Sequence, residues 1–227
     1  MRQRASIYEI LGDLHKDKNC IYYDCEKSVE YYNKALVDNQ DAVTARLSMA
    51  KICSDIRNRE NGHYNLSFAM KQLQLLDTLN NKDIDRNYDR IQMAISRIYA
   101  DKNYEGCDYG KALSALDKIQ SDEKGFIDLQ RGNIYAVENS PYYDMKKAVA
   151  CYTSAAQKNN TNAMVKLAKC YLYGLGVDRD KEAAKLWLQE ADQRGDEYAR
   201  EYLKNIDRTS YNPITYTLVK QLLNSLA

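Results

Sequence analysis

An aspartate or asparagine followed four residues later by a small residue recurs along the chain. The pairs are Asp24/Ser28, Asn65/Ala69, Asp108/Ala112, Asp144/Ala148 and Asp180/Ala184, at intervals of 41, 43, 36 and 36 residues. Periods of this length are the signature of stacked helical units. The chemistry of the pair agrees. A side-chain carboxylate or amide oxygen accepts the free N–H groups of a helix's first turn, and negative charge suits that end of the helix dipole. A small residue one turn later lets a neighbouring helix come close.

Apolar residues follow each anchor at offsets of seven, eight and eleven: Tyr31, Tyr32 and Ala35; Ala115, Leu116 and Ile119; Cys151, Tyr152 and Ala155; Trp187, Leu188 and Ala191. These offsets line one helix face. A first helix precedes each anchored one. Tyr99, Tyr135 and Tyr171 lie 36 residues apart, with Gly132 and Ala168 three residues before the last two. Leu11-Gly12 with His15 repeats that phase, and Leu47-Ser48 with Lys51 is a degenerate copy. Each unit then reads as two antiparallel helices whose apolar face only the next unit can cover. The prediction is an all-α, right-handed superhelical solenoid of about five helix pairs plus terminal helices. It forms a single repeat domain over residues 1–227, with units near 1–38, 39–80, 81–121, 122–158 and 159–195, and capping helices in 196–227. Ser140-Pro141 and Asn212-Pro213 are each expected to open a helix, since Pro suits the first helical position after a capping residue. A last helix, Pro213 to Leu226, carries Ile214, Leu218, Val219, Leu222 and Leu223 on one face. It is expected to seal the stack or to dock on a partner.

Composition supports helices and removes several functions. Only 9 Gly and 2 Pro in 227 residues leave too few breakers for a turn-rich β fold. A net charge of +1 argues against nucleic acid as a partner, because phosphate binding relies on a basic excess. No stretch has the ~20 apolar residues of a membrane span. The cysteines at 20, 25, 53, 107, 151 and 170 are irregularly spaced, as expected of reduced thiols. A chain that begins without an apolar leader is expected in the cytoplasm, or in the periplasm if an upstream signal peptide has been removed.

The best-formed unit runs from Leu167-Ala168 through Tyr171, Gly174-Leu-Gly176-Val177, Asp180, Ala184, Trp187 and Ala191 to Gly195. It resembles the Sel-one-like repeat, a relative of the tetratricopeptide repeat, and departs from that pattern at Ala168, Ala183 and Leu188. The preceding unit matches at Gly132, Tyr135, Lys147, Ala148, Tyr152 and Ala155 without the Gly-x-Gly-Val loop. The resemblance is strong over 122–200 and weak over 1–121. It implies a curved, noncatalytic scaffold that binds other proteins, as bacterial adaptors of this type do. The front half also resembles scaffolds of bacterial exopolysaccharide export, which implies as an alternative a bacterial envelope scaffold for exopolysaccharide export, within a polysaccharide-associated complex, or for assembly of a secretion complex.

Catalysis has little to stand on. The two histidines, His15 and His63, fall in different units, and Gly174-Leu-Gly176 follows a helix where a phosphate-binding loop would follow a strand. A hydrolase using His15 or clustered carboxylates is the weakest alternative. No catalytic residue, cofactor or metal site is expected. Of the 20 tyrosines, the doublets Tyr22-Tyr23 and Tyr142-Tyr143 stand near expected loops, where rigid rings can anchor a partner. A protein partner is expected in the groove of the first helices. The residues two before the slot tyrosines, Arg97, Asn133 and Lys169, would line it together with Met93 and Tyr173.

Overall fold

A computed structural model describes residues 2–16, 24–55, 58–59, 62, 64–77 and 82–206. Eleven α-helices and no strand occur among the described residues. The packing divides at Ile119/Gln120 into two compact units. The first holds α1 (Arg2–Lys16), α2 (Cys25–Asp38), α3 (Val43–Ser54), α4 (Leu66–Asp77), α5 (Lys82–Tyr99) and α6 (Tyr109–Asp117). The second holds α7 (Phe126–Tyr135), α8 (Met145–Gln157), α9 (Thr161–Tyr173), α10 (Lys181–Gln193) and α11 (Glu197–Ile206). Within each, every helix packs on its neighbours in chain order. That is the helix-hairpin solenoid arrangement the period predicts. The segment 213–226 lies outside the described residues.

All five anchors cap a helix. Asp24 accepts the Lys27 N–H, Asn65 that of Phe68, Asp108 that of Lys111, Asp144 that of Lys147 and Asp180 that of Ala183, at 2.8–3.0 Å. Each anchor's own N–H donates back to a carbonyl at the end of the preceding helix: His15, Cys53, Tyr99, Tyr135 and Tyr171, at 2.8–2.9 Å. One residue therefore starts the second helix and ties it to the end of the first. Ser28, Ala69, Ala112, Ala148 and Ala184 are fully buried where the two helices meet.

The residue eight after each anchor fills the core of its hairpin: Tyr32, Leu73, Leu116, Tyr152 and Leu188 are all buried. Where it is tyrosine, the facing first helix carries glycine. A Cβ on Gly12 would meet the Tyr32 ring at 2.5 Å, and one on Gly132 the Tyr152 ring at 2.5 Å. The next residue takes the phenol: Tyr32 donates to Asp13 at 2.6 Å and Tyr152 to Asn133 at 3.2 Å. Where the ring is replaced by Leu188, the slot holds Ala168 and both are buried.

Two features depart from the simple repeat. The hairpin α3/α4 has a longer connection, plugged by buried Asn58, whose amide donates to the Ile52 carbonyl at 2.8 Å. Its first helix has no capping side chain of its own, and Glu9 of α1 instead accepts the Ala45 N–H at 3.1 Å. The expectation for Ser140-Pro141 is overturned. That pair sits in a turn, with the Tyr142 N–H donating to Ser140 Oγ, and the helix starts only after Asp144. Asp144 both accepts the Lys147 N–H and donates its own N–H to the Tyr135 carbonyl.

In the second unit Lys158 joins the two helices of a hairpin. Its ammonium donates to Asp122 at 3.0 Å and to Asp128 at 2.7 Å, and Ser154 donates to Asp128 at 2.6 Å. Partial burial works to raise the Asp128 pKa, but the hydrogen bonds from Lys158 and Ser154 and the lysine's charge outweigh it, so the carboxyl sits below its ordinary value.

Gly132→Ala is expected to destabilise the protein. Overpacking costs about 1–3 kcal/mol, more than the ~1 kcal/mol helix preference of Ala over Gly. Thermal denaturation of G132A, Y152L and the double variant should show the double less destabilised than the sum of the singles, as for sites in direct contact. Additive effects would mean that the glycine is not making room for the ring.

Asp128 should stabilise the fold above the ordinary carboxylate pKa, about 3.9, and lose that contribution as pH falls from there through its depressed folded value. Melting temperatures of Asp128→Asn should therefore fall less steeply than wild type below about pH 4. Parallel curves would show that the Lys158 contact is not selective for the charged form.

Candidate interaction surface

Anchors, slot tyrosines and buried +8 residues are occupied in closing hairpins, and the outward strips of the first helices lie outside these junctions. In the first unit α1, α3 and α5 touch side by side. Lys16 at the end of α1 donates to Ser48 of α3 at 3.1 Å and pairs with Asp13 at 2.5 Å. Lys51 on α3 and Arg90 and Arg97 on α5 are exposed, and Met93 between the arginines is half-buried. The spacing of Arg90, Met93 and Arg97 puts them on one helical strip. Partial desolvation, then the charges of Arg90, Lys16 and Arg97, lower the Lys51 pKa, with Asp13 acting the other way.

In the second unit α9 and α11 meet through aromatic rings. The Lys169 ammonium lies 4.7 Å from the Tyr198 ring centre and 5.7 Å from that of Tyr202. These distances are those of cation–π contacts. The two rings stack at 5.7 Å, and the hydroxyls of Tyr173 and Tyr202 share a 2.6 Å hydrogen bond. Lys166, one turn before Lys169, has a lowered pKa from burial and then from the Lys169 charge.

The five groove residues read from the sequence thus divide between the units. Met93 and Arg97 share a strip in the first. Lys169 and Tyr173 are brought together in the second by Tyr202, and Asn133 is held by the Tyr152 hydroxyl within its hairpin. Sequence reasoning passed over Lys16, Lys51, Arg90, Lys166, Tyr198 and Tyr202. Arg90 lies seven residues before Arg97, and Tyr198 four before Tyr202. Those spacings could have flagged the strips, but the touching of α9 and α11 has no local signal.

The residues with reactive side chains sit in structural places. His15 stacks on Tyr31 at 5.5 Å, and its carbonyl accepts the Asp24 N–H. His63 and the Tyr22-Tyr23 doublet lie outside the described residues, while Tyr142 and Tyr143 are both exposed. Gly174 ends α9 with left-handed backbone, and the Leu175 N–H donates to the Cys170 carbonyl at 2.9 Å. Gly176 packs so closely on the Met145 carbonyl that a Cβ would overlap it. The Gly-Leu-Gly segment is therefore a turn that packs onto the preceding hairpin. Cys25, Cys53, Cys107, Cys151 and Cys170 are free thiols. Burial raises Cys53 to about 11 and Cys170 to about 12, and it also raises Cys107 and Cys151. Among the described residues, no three His, Cys, Asp or Glu side chains converge as a metal site would require. No described helix is long and apolar enough to cross a membrane.

A family model described as Sel1 repeat matches residues 11–36, 137–160 and 161–196. The first of these falls in the part of the chain where the sequence pattern is weakest. A crystal structure of a Sel1 repeat protein from Oxalobacter formigenes is 19% identical, with a TM-score of 0.62 covering 95% of this chain and 83% of that one. A protective antigen present in uropathogenic Escherichia coli strains, displaying an SLR fold, is 16% identical with a TM-score of 0.57. That match covers 89% of this chain, which spans 41% of the antigen's length. At such identities the likeness establishes the fold.

Raised thiol pKa values and burial predict slow alkylation. Under native conditions near pH 7.5, Cys53 and Cys170 should resist iodoacetamide while Cys107 reacts before them, because the thiolate is the attacking form and Cys107 is less buried. Mass spectrometry of time-resolved labelling checks the order. Rapid modification of Cys170 before unfolding would contradict its place in the core.

Proposed function

We propose that this chain, whose residues 11–36, 137–160 and 161–196 match the Sel1 repeat, is a noncatalytic interaction scaffold that holds a protein partner on the outward strips of its first helices. Sel1-repeat proteins are generally non-catalytic helical scaffolds, and the match suggests a role in protein–protein interaction. The observation that carries the finer reading is the strip on α5. Exposed Arg90 and Arg97 flank half-buried Met93, beside exposed Lys51 of α3, while the anchors and buried tyrosines hold the hairpins shut. Long side chains on a rigid, side-by-side helix platform give a partner both charge and apolar area at little ordering cost.

A photo-crosslinking residue at Met93 is expected to capture a discrete partner from extract of the native host. The same residue at Val37, which is 83% exposed on α2, a second helix, should not. Identical adducts at both positions, or none at Met93, would remove the first-helix assignment.

A further inference from the structure

We propose that the first-helix strip of the first unit receives an acidic segment of a partner protein, with Lys51 and Arg97 as its principal contacts. The inference rests on the scaffold reading above and adds the chemistry of the ligand.

Helices α1, α3 and α5 touch, Lys16 of α1 reaches Ser48 of α3, and three cations, Lys16, Arg90 and Arg97, lie within electrostatic reach of Lys51. The chain as a whole carries a net charge of only +1, so this is segregation of charge rather than a basic protein. Both carboxylates of α1 are occupied, and α3 carries none. Asp13 accepts from Lys16 and from the Tyr32 hydroxyl, at 2.5 and 2.6 Å. Glu9 accepts the Ala45 N–H at the start of α3. Arg90 donates to the neutral amide of Asn87 at 2.7 Å. Lys51 and Arg97 have no ion-pair partner among the described residues. Like charges within about one Debye length, roughly 8–10 Å, repel. Folding tolerates that repulsion on this strip, and an anionic ligand would relieve it.

The form of the strip favours a peptide over a nucleic acid. Single strands are held by open aromatic faces alternating with cations. Rings beside this strip are engaged within the fold: Tyr32, 5.7 Å from the Lys16 ammonium, is buried with its hydroxyl on Asp13, and Tyr99 packs edge-on against Tyr104. What lies between the arginines is Met93, an adaptable apolar contact suited to side chains that alternate with acidic ones. Arginine adds a planar fork that can pair with a carboxylate through two hydrogen bonds.

The test uses the full chain and fluorescence anisotropy with three labelled probes of about ten residues or nucleotides: an alternating Asp-Glu peptide, an Asn-Gln peptide of equal length, and oligo-dT. The acidic peptide should bind, the neutral one should not, and raising NaCl from about 50 to about 200 mM should weaken binding several-fold. Lys51→Glu with Arg97→Glu should weaken it by about tenfold or more, whereas Lys169→Glu in the second unit should change it less than about twofold. If the charge-reversed protein fails to fold by circular dichroism, Lys51→Met with Arg97→Met carries the test. That variant should melt no lower than wild type, since repulsion is removed, and still lose the acidic peptide. Unchanged binding by a folded double variant overturns the proposal. So does tighter binding of oligo-dT that is lost in the same variant, which would reassign the strip to nucleic acid. If Met93 crosslinks a partner through a segment without acidic residues, the scaffold reading stands and this one falls.

Discussion

At the start of each of the five second helices stands an Asp or Asn that makes two hydrogen bonds of opposite direction. Its side chain accepts an N–H of its own helix, and its backbone N–H donates to the carbonyl that ends the preceding helix. Both groups belong to the set that helix ends leave without partners. Joining them satisfies both ends and fixes where the chain reverses. The small residue one turn later, fully buried each time, then lets the helices meet. Each hairpin is defined by this junction, and within each unit the stacking of hairpins follows.

Variation between hairpins is absorbed by compensating pairs. A tyrosine eight residues after the anchor demands glycine opposite, as Gly12 with Tyr32 and Gly132 with Tyr152 show, and a leucine accepts alanine, as in Ala168 with Leu188. Interiors are packed too densely for one member to change alone. The hairpin α3/α4 loses the regular connection and substitutes buried Asn58, with Glu9 of α1 capping α3 from outside. A solenoid tolerates such local repair because each helix answers only to its neighbours.

The charge distribution follows from that division of labour. Aspartates are drawn to helix starts and to partners within hairpins, as with Asp122 and Asp128 around Lys158. Cations on the outward strips are left to face one another. A chain that is nearly neutral overall thus gathers Lys16, Lys51, Arg90 and Arg97 on the first helices of its first unit.

The helical class, the five anchors, the small residues and the buried +8 positions were legible in the sequence, because each rests on interactions spanning at most a few helical turns. Periodicity reports those directly. Ser140-Pro141 misled for the same reason: locally it resembles a helix start, and only the closing bond from Asp144 to Tyr135 decides otherwise. The candidate surface was legible in part. Met93 and Arg97 fall on an outward strip by spacing alone. That Asn133 is held by Tyr152, that Lys169 lies against Tyr198 and Tyr202, and that Lys51 joins Lys16, Arg90 and Arg97 are matters of helices meeting side by side. Such contacts link residues tens of positions apart through side-chain reach and charge, and the tertiary structure alone sets them, because one helix's period carries no record of which neighbour will lie against it.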